Sequence, residues 1–87
     1  MEKQFVFQNK IGLHARPATS LVNLAKQYSE QIYLLKGDKK ANAKSLLAIL
    51  SLGIMSGDTV ILQVTGENET DVMMELVKFF EQSANQE

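Results

Sequence analysis

His14 is the only histidine in the 87-residue chain, and Arg16 follows it by two residues. A neutral imidazole nitrogen is a nucleophile near pH 7, and a guanidinium presents a fork of donors that matches phosphate oxygens. Gly12 lets the chain bend, and Pro17 fits the first turn of a helix, where no N–H is needed. The first amides of a helix lack partners and attract anions. This run predicts a histidine that is itself phosphorylated; an ordinary histidine beside a helix cap is the alternative.

No complete catalytic constellation accompanies this histidine. The sequence has no second histidine for a relay, no cysteine and no glycine-rich G-x-x-x-x-G-K loop. The hydroxyl residues have no histidine–carboxylate partner evident in the sequence. We therefore expect no metal and no cofactor, and we expect partner proteins to supply the catalysis.

Composition restricts the class of partner and the location. The formal net charge is −1, with both signs spread along the chain, which argues against nucleic acid or an anionic membrane as the main partner. The N-terminal segment has no signal-peptide apolar run, and no apolar stretch approaches the ~20 residues that a membrane span needs. We expect a cytoplasmic protein without membrane insertion.

Hydrophobic periodicity predicts the element order β-α-β-β-α-β-α, an α+β pattern in which helices cover one face of a sheet. The last helix begins after Asn68, which can act as its N-cap. The final residues, Ser83 to Glu87, are expected to be frayed. The predicted strands cover residues 3–8, Ile32–Leu35, Lys39–Asn42 after a Gly37-Asp38 turn, and Thr59–Thr65; the first helix runs from Pro17 to about Tyr28.

A short helix is predicted between the third and fourth strands. Ser45 stands where an N-cap would, and Gly53 can end the helix. Between them only Ser51 is polar. A short helix on a small sheet cannot bury every side, so this leucine-rich surface predicts a docking patch for a partner. A deeply buried core helix is the alternative.

Two blocks of the sequence resemble the HPr family, the histidine-containing phosphocarriers of the bacterial phosphotransferase system. The run Gly12-Leu13-His14-Ala15-Arg16-Pro17-Ala18 is similar to the active-site signature, and the segment Lys44 to Gly53 resembles the regulatory serine segment. The spacing and the chain length also fit. The resemblance implies one HPr-like domain over residues 1–87, an open-faced β-sandwich whose antiparallel strands have the order 1-4-2-3.

The resemblance also implies residue roles. It assigns His14 as the phosphohistidine acceptor through Nδ1 and Arg16 as the charge partner of the phosphate, with the amides near Ala15–Ala18 as a cradle. Ile11 departs from the family pattern, because many members have a small polar residue there; backbone groups or water must then steady the imidazole. The residues expected to dock partners are Ala15, Pro17, Thr19, Leu46, Leu47, Leu50 and Ile54.

The role that the resemblance implies is a monomeric carrier that passes phosphoryl groups from enzyme I, loaded by phosphoenolpyruvate, through His14 to sugar-specific enzyme IIA proteins. In Gram-positive-type members an ATP-dependent HPr kinase/phosphorylase modifies the matching serine, here Ser45, for a catabolite-control transcriptional regulator. A phosphate at a helix N-terminus is tolerated, so we expect it to alter docking rather than the fold.

Two other functions compete with the carrier role. A purely regulatory binding module would act through phospho-Ser45 with a transcriptional regulator, but relatives of that kind replace the active histidine, which this chain retains. A small nucleic-acid binder would use the outward sheet face, which carries Gln4, Val6, Tyr33, Leu35 and Ile61 but no basic-aromatic cluster.

Overall fold

Seven elements follow one another along residues 1–83, the part of the chain that this computed structural model describes. Their order is the predicted one. Fraying is predicted for Ser83 to Glu87; Ser83 is the last residue of the final helix, and the other four residues lie outside the described part. The elements are β1 (Glu2–Val6), α1 (Ala15–Ala25), β2 (Gln31–Lys36), β3 (Lys39–Asn42), α2 (Leu46–Ser51), β4 (Thr59–Thr65) and α3 (Glu69–Ser83).

The four strands form one antiparallel sheet in the order β1-β4-β2-β3, which confirms the expected topology. Leu34 lies at its centre, opposite Leu62 on β4 and Ala41 on β3. All three side chains are buried, whereas the neighbouring Tyr33 and Leu35 are only half-buried. The alternation follows the two-residue period of a strand, so one face of the sheet meets the core and the other stays open.

The helices supply the other half of the core. Helices α1 and α3 each turn an apolar arc into the core, and Met74, an apolar residue of α3 outside its arc, is exposed. None of the helices within residues 1–83 is long and apolar enough to cross a membrane. The buried residues are Ala18, Leu21, Val22 and Ala25 on α1, and Val72, Met73, Leu76 and Phe80 on α3.

Three predicted boundaries are wrong by two residues or more. One is the end of α1, which lies at Ala25 rather than at about Tyr28, because the N–H groups of Gln27 and Tyr28 bond to carbonyls only three residues back and tighten the last turn. Strand β1 ends at Val6 rather than at residue 8, because Val6 pairs with Thr59, the first residue of β4. Beyond it, Phe7 bonds instead to the loop that precedes β4. Helix α1 begins at Ala15 rather than at Pro17. Proline is tolerated throughout a first turn, so its position does not mark the first helical residue.

Candidate functional site

His14 is the N-cap of α1, with an extended backbone (φ −86°, ψ −172°) and an exposed side chain. Its carbonyl accepts the Ala18 N–H at 3.0 Å, which is the first intrahelical bond. Its imidazole makes no capping hydrogen bond to the helix amides. The earlier helix start therefore places the ring at the helix terminus itself, where the amide dipoles favour negative charge.

Two amides at this helix terminus are free for an anion. Pro17 has no N–H, and the N–H of Ala18 is bonded to the His14 carbonyl. The N–H groups of Ala15 and Arg16 have no partner among residues 1–83. The predicted cradle over Ala15–Ala18 is thus narrower than expected and consists of these two groups.

The imidazole of His14 is held by the backbone of the preceding loop. Its Nδ1 lies 3.2 Å from the Gly12 carbonyl oxygen. A carbonyl only accepts, so this contact is a hydrogen bond when Nδ1 carries the proton. The side chain of Ile11 has no polar atom that could bond to the imidazole. The Gly12 carbonyl holds the ring instead, which agrees with the expectation that a backbone group or water does so.

The loop that carries Gly12 rests on the loop between α2 and β4. The Leu13 N–H donates to the Ile54 carbonyl at 2.9 Å. Gly12 has φ +88°, and a Cβ added there would lie 2.8 Å from the same carbonyl oxygen. Only glycine combines this backbone angle with this close approach. The position of the histidine loop is therefore set by the segment that follows α2.

Arg16 is exposed at the second position of α1. Within the described part of the chain, its guanidinium makes no hydrogen bond or ion pair. An unengaged arginine can turn toward a phosphoryl group on His14 without first breaking an existing contact.

A Lys36–Asp58 pair fastens the loop between α2 and β4. The Lys36 ammonium donates to the Gly53 carbonyl at 2.7 Å and lies 2.9 Å from Asp58 Oδ2. The Met55 N–H donates to the same carboxylate oxygen at 2.8 Å. This backbone bond, followed by the bond from Lys36, lowers the pKa of Asp58 below its ordinary value. The sequence alone does not indicate this pair, because its members are 22 positions apart and no local pattern joins them.

Ser45 is the N-cap of α2, as predicted: its hydroxyl oxygen accepts the Ala48 N–H at 3.3 Å. Its side chain is exposed. Gly53, just after the helix, has φ +62°, the left-handed conformation typical of a helix end. Helix α2 has six residues, about 9 Å of axis, and it separates Ser45 from the loop that supports Gly12.

The outer surface of α2 is apolar and exposed. Leu47 is 77% exposed, Leu46 and Leu50 are also exposed, and Ile49 points into the core. The alternative of a fully buried helix is wrong. We refer to Leu46, Leu47 and Leu50 as the leucine surface.

The other predicted docking residues differ in accessibility. Ala15 and Thr19 are exposed and Pro17 is half-buried. The prediction that Ile54 docks a partner is wrong. Its side chain is only 3% exposed because it packs in the core, and its carbonyl accepts the Leu13 N–H. Ile54 therefore offers a partner no surface. Ile11 and Met55, both 58% exposed, are apolar residues of the two touching loops that the sequence analysis did not include.

No three side chains of the metal-binding types come together anywhere in residues 1–83. The candidate site consists of the His14 imidazole, the exposed Arg16 guanidinium and the two free amides of Ala15 and Arg16.

Comparison with known proteins matches this description. The family model described as "PTS HPr component phosphorylation site" covers residues 1–82. The HPr-like protein Crh of Halalkalibacterium halodurans is 41% identical over 81 residues, 93% of this chain and 96% of that protein. The phosphocarrier protein NPr of Shewanella violacea is 41% identical over 68 residues, 78% of this chain and 75% of that protein.

Solved structures agree with the fold. HPr-C-His from Thermoanaerobacter tengcongensis superimposes with a TM-score of 0.92 at 40% identity, covering all of this chain and 98% of that one. An HPr dimer from the same organism has a TM-score of 0.76 at 41% identity, over 92% of each chain.

Proposed function

Because the chain belongs to the HPr family of phosphocarrier proteins, we propose that His14 accepts a phosphoryl group from phosphorylated enzyme I and passes it to sugar-specific enzyme IIA proteins. The observation that carries the proposal is the exposed imidazole at the N-cap of α1, beside the unpartnered amides of Ala15 and Arg16. A phosphoryl group on that ring would meet donors that are already in place, which is how most phosphoryl-transfer sites stabilise their charge.

The transfer step requires a proton to move within the imidazole. The contact with the Gly12 carbonyl favours the tautomer that carries its proton on Nδ1. Before attack, that proton leaves to solvent and Nε2 takes one up. The Nδ1 lone pair then forms the N–P bond while the bond between phosphorus and the donor breaks, and the donor keeps that electron pair. Transfer to enzyme IIA reverses these changes.

The partners supply the remaining catalytic groups. The leucine surface lies on the helix whose following loop supports Gly12, so a protein that docks there also approaches His14. Exposed apolar patches of this kind mark protein interaction sites. The chain thus acts as a covalent carrier, loaded once and unloaded once per cycle, and not as an enzyme.

Incubation with purified enzyme I and labelled phosphoenolpyruvate tests acceptance. The label should be acid-labile, as a phosphoramidate is, and peptide mapping should place it on His14. A His14→Asn variant is the matched control, because asparagine caps a helix well but lacks the nucleophilic ring. Label on that variant, or acid-stable label on the wild type, would overturn the assignment.

Ser45 supports a second, regulatory function for the same molecule. It is an exposed N-cap, and a phosphate there would face the free end of α2. Similar proteins include Crh, described in Bacillus subtilis as the catabolite repression HPr. We propose that an HPr kinase/phosphorylase modifies Ser45 and that a catabolite-control transcriptional regulator binds the product. ATP-dependent, acid-stable label that is lost in Ser45→Ala would support it; label elsewhere would not.

The same proposal includes a single domain acting as a monomer in the cytoplasm, where phosphoenolpyruvate is available. One hydrophobic core that draws on strands and helices from both ends of the chain supports the single domain. Structures of similar proteins include dimers, so the monomeric state needs a test of its own. Sedimentation of the chain at micromolar concentration decides it.

A further inference from the structure

Asn9 is a polar side chain that the fold buries almost completely, with 3% of its surface exposed. Its Oδ1 accepts the Ile11 N–H at 3.0 Å, and its carbonyl accepts the Gly12 N–H, also at 3.0 Å. Asparagine commonly closes a turn in this way, by bonding to the amide two residues ahead. These two bonds shape the turn that leads into the histidine.

The far side of the same turn is fixed by the α2–β4 loop. Gly12 packs against the Ile54 carbonyl and the Met55 Cα, and the Leu13 N–H donates to that carbonyl. The Gly12 carbonyl lies between this anchor and the Asn9 turn. It is also the group 3.2 Å from His14 Nδ1. Asn9 is therefore joined to the imidazole through a short chain of backbone contacts.

We propose that Asn9 is a positioning residue for phosphoryl transfer: its side chain accepts the Ile11 N–H and fixes the turn, and this turn holds the Gly12 carbonyl against His14 Nδ1. The inference rests on the proposed function of His14. It also explains how this chain tolerates Ile11, because the polar anchor of the loop is a side chain two residues earlier.

Two consequences follow for the ring. The turn that carries the ring is fixed beside the start of α1 before the phosphoryl donor arrives, so less orientational freedom is lost then, although the Nδ1 contact itself opens when the proton leaves. Its resting proton is held on Nδ1, which the carbonyl favours. Proton exchange on an exposed imidazole is fast compared with turnover, so the effect on orientation determines the rate.

The matched pair Asn9→Ala and Asn9→Ser tests this role. Both variants lose the amide group, but serine keeps an oxygen that can accept the Ile11 N–H, more weakly than asparagine does. We expect Asn9→Ala to lower kcat for acceptance from phosphorylated enzyme I roughly three- to tenfold, the range for loss of one neutral hydrogen bond. KM should change little, because the Asn9 side chain is buried and offers a partner no surface. Asn9→Ser should lie between the wild type and Asn9→Ala.

A spectroscopic measurement separates positioning from mere stability. The ¹⁵N shifts of the His14 ring should move away from the Nδ1–H tautomer in Asn9→Ala and partly return in Asn9→Ser. Wild-type kcat together with wild-type shifts in both variants would overturn the proposal, whatever happens to thermal stability. If Asn9→Ala does not fold, the comparison of Asn9→Ser with the wild type tests the proposal through the same two measurements, kcat and the ¹⁵N shifts of the His14 ring. If wild-type His14 accepts no phosphoryl group, the proposed function fails, and the ¹⁵N comparison still shows whether Asn9 holds the ring.

Discussion

At the scale of single residues, His14 and Arg16 divide the work of holding a phosphoryl group. His14 provides the nucleophilic nitrogen at the helix terminus, and Arg16 follows two residues later with a guanidinium that residues 1–83 leave unengaged. Arginine differs from lysine here in geometry rather than in charge, because its planar fork can bond two phosphate oxygens at once. The account therefore depends on the shape of that side chain.

Arg16→Lys should slow phosphoryl transfer although the charge is kept. Loss of one fork contact in the transition state should cost on the order of 1–3 kcal/mol, the range for charged hydrogen bonds. Rapid-quench measurement of acceptance from phosphorylated enzyme I gives this rate. Lys26→Arg, at the other end of α1, is the control and should leave transfer unchanged. Equal rates for Arg16→Lys and the wild type would reduce Arg16 to an ordinary surface residue.

At the scale of elements, α2 carries the leucine surface and has Ser45 at its N-terminus. A negative charge on Ser45 acts about a helix length from the loop that holds Gly12, near the Debye length of about 8 Å at physiological ionic strength. At that separation, salt screens much of the direct repulsion between exposed charges. The charge borders the leucine surface, so docking is the step that it should affect.

Ser45→Asp should weaken binding to enzyme I while thermal stability changes little. The carboxylate can still cap the free amides of α2, and the helix dipole favours it. Removing it from water without a partner in the interface should cost roughly 1–3 kcal/mol of binding free energy. Ser45→Asn, neutral and similar in capping ability, should bind nearly as the wild type does. If calorimetric titrations find the Asp and Asn variants alike, Ser45 is only a helix cap.

The contact between the two loops depends on Gly12. Gly12→Ala should lower the free energy of unfolding by about 2–3 kcal/mol, since a positive φ strains alanine and its Cβ would displace the Ile54 carbonyl. Phosphoryl acceptance should fall with it, because the Gly12 carbonyl contacts His14. Gly37→Ala is the control: φ is +60° but no atom lies within 4 Å of its Cβ, so it should cost about 1 kcal/mol and leave transfer intact. Denaturant unfolding and the transfer assay are run on both variants. Equal losses of stability and of phosphoryl acceptance in Gly12→Ala and Gly37→Ala would contradict the role of the loop contact.

Periodicity predicted the elements well, because the apolar arcs of α1 and α3 and the alternation in β2 and β4 report directly on the core. Their ends were less predictable. Strand β1 ends at Val6 because Val6 pairs with Thr59, the residue at which the antiparallel strand β4 begins. A pairing between positions so far apart in the sequence leaves no local signal. Helix α1 begins before Pro17 because proline is compatible with several first-turn positions.

Site residues that belong to a local sequence motif could be predicted. Residues whose environment depends on the contact between two distant loops could not. His14, Arg16 and Ser45 occupy helix termini that the sequence indicates. Ile54 looked available beside an exposed helix, but its side chain completes the core. Asn9 does carry a local signal in the sequence: asparagine at the first position and glycine at the fourth favour a β-turn.

At the scale of the whole molecule, acid stability should depend in part on the Lys36–Asp58 pair. The pKa of Asp58 in the folded protein lies below its ordinary value of 3.8, first through the Met55 N–H and then through Lys36. Its contribution to stability is therefore fully present above about pH 3.8 and is lost as the pH falls through the lowered folded pKa. The pKa of Glu69 is lowered as well, first by the Gly66 N–H and then by the terminal ammonium, and adds in the same direction.

Asp58→Asn should make the melting temperature less dependent on pH below about 3.8 than it is in the wild type. Above that pH the variant should be less stable, because it loses the ion pair with Lys36. Lys36→Gln should reduce the same dependence, and the double variant should add little. Melting curves from pH 7 to pH 2 measure this. An unchanged slope in Asp58→Asn would mean that the pair does not contribute to acid stability.

The most direct test of the carrier role follows the phosphoryl group through both transfers. The chain is loaded with labelled phosphoenolpyruvate and enzyme I, separated from enzyme I, and mixed with a purified enzyme IIA. We predict one acid-labile phosphoryl group per chain on His14, which then appears on enzyme IIA, and no loading of His14→Asn. Label that is retained by the chain after enzyme IIA is added, across the enzyme IIA proteins of its own cell, would contradict the carrier role and favour a regulatory protein.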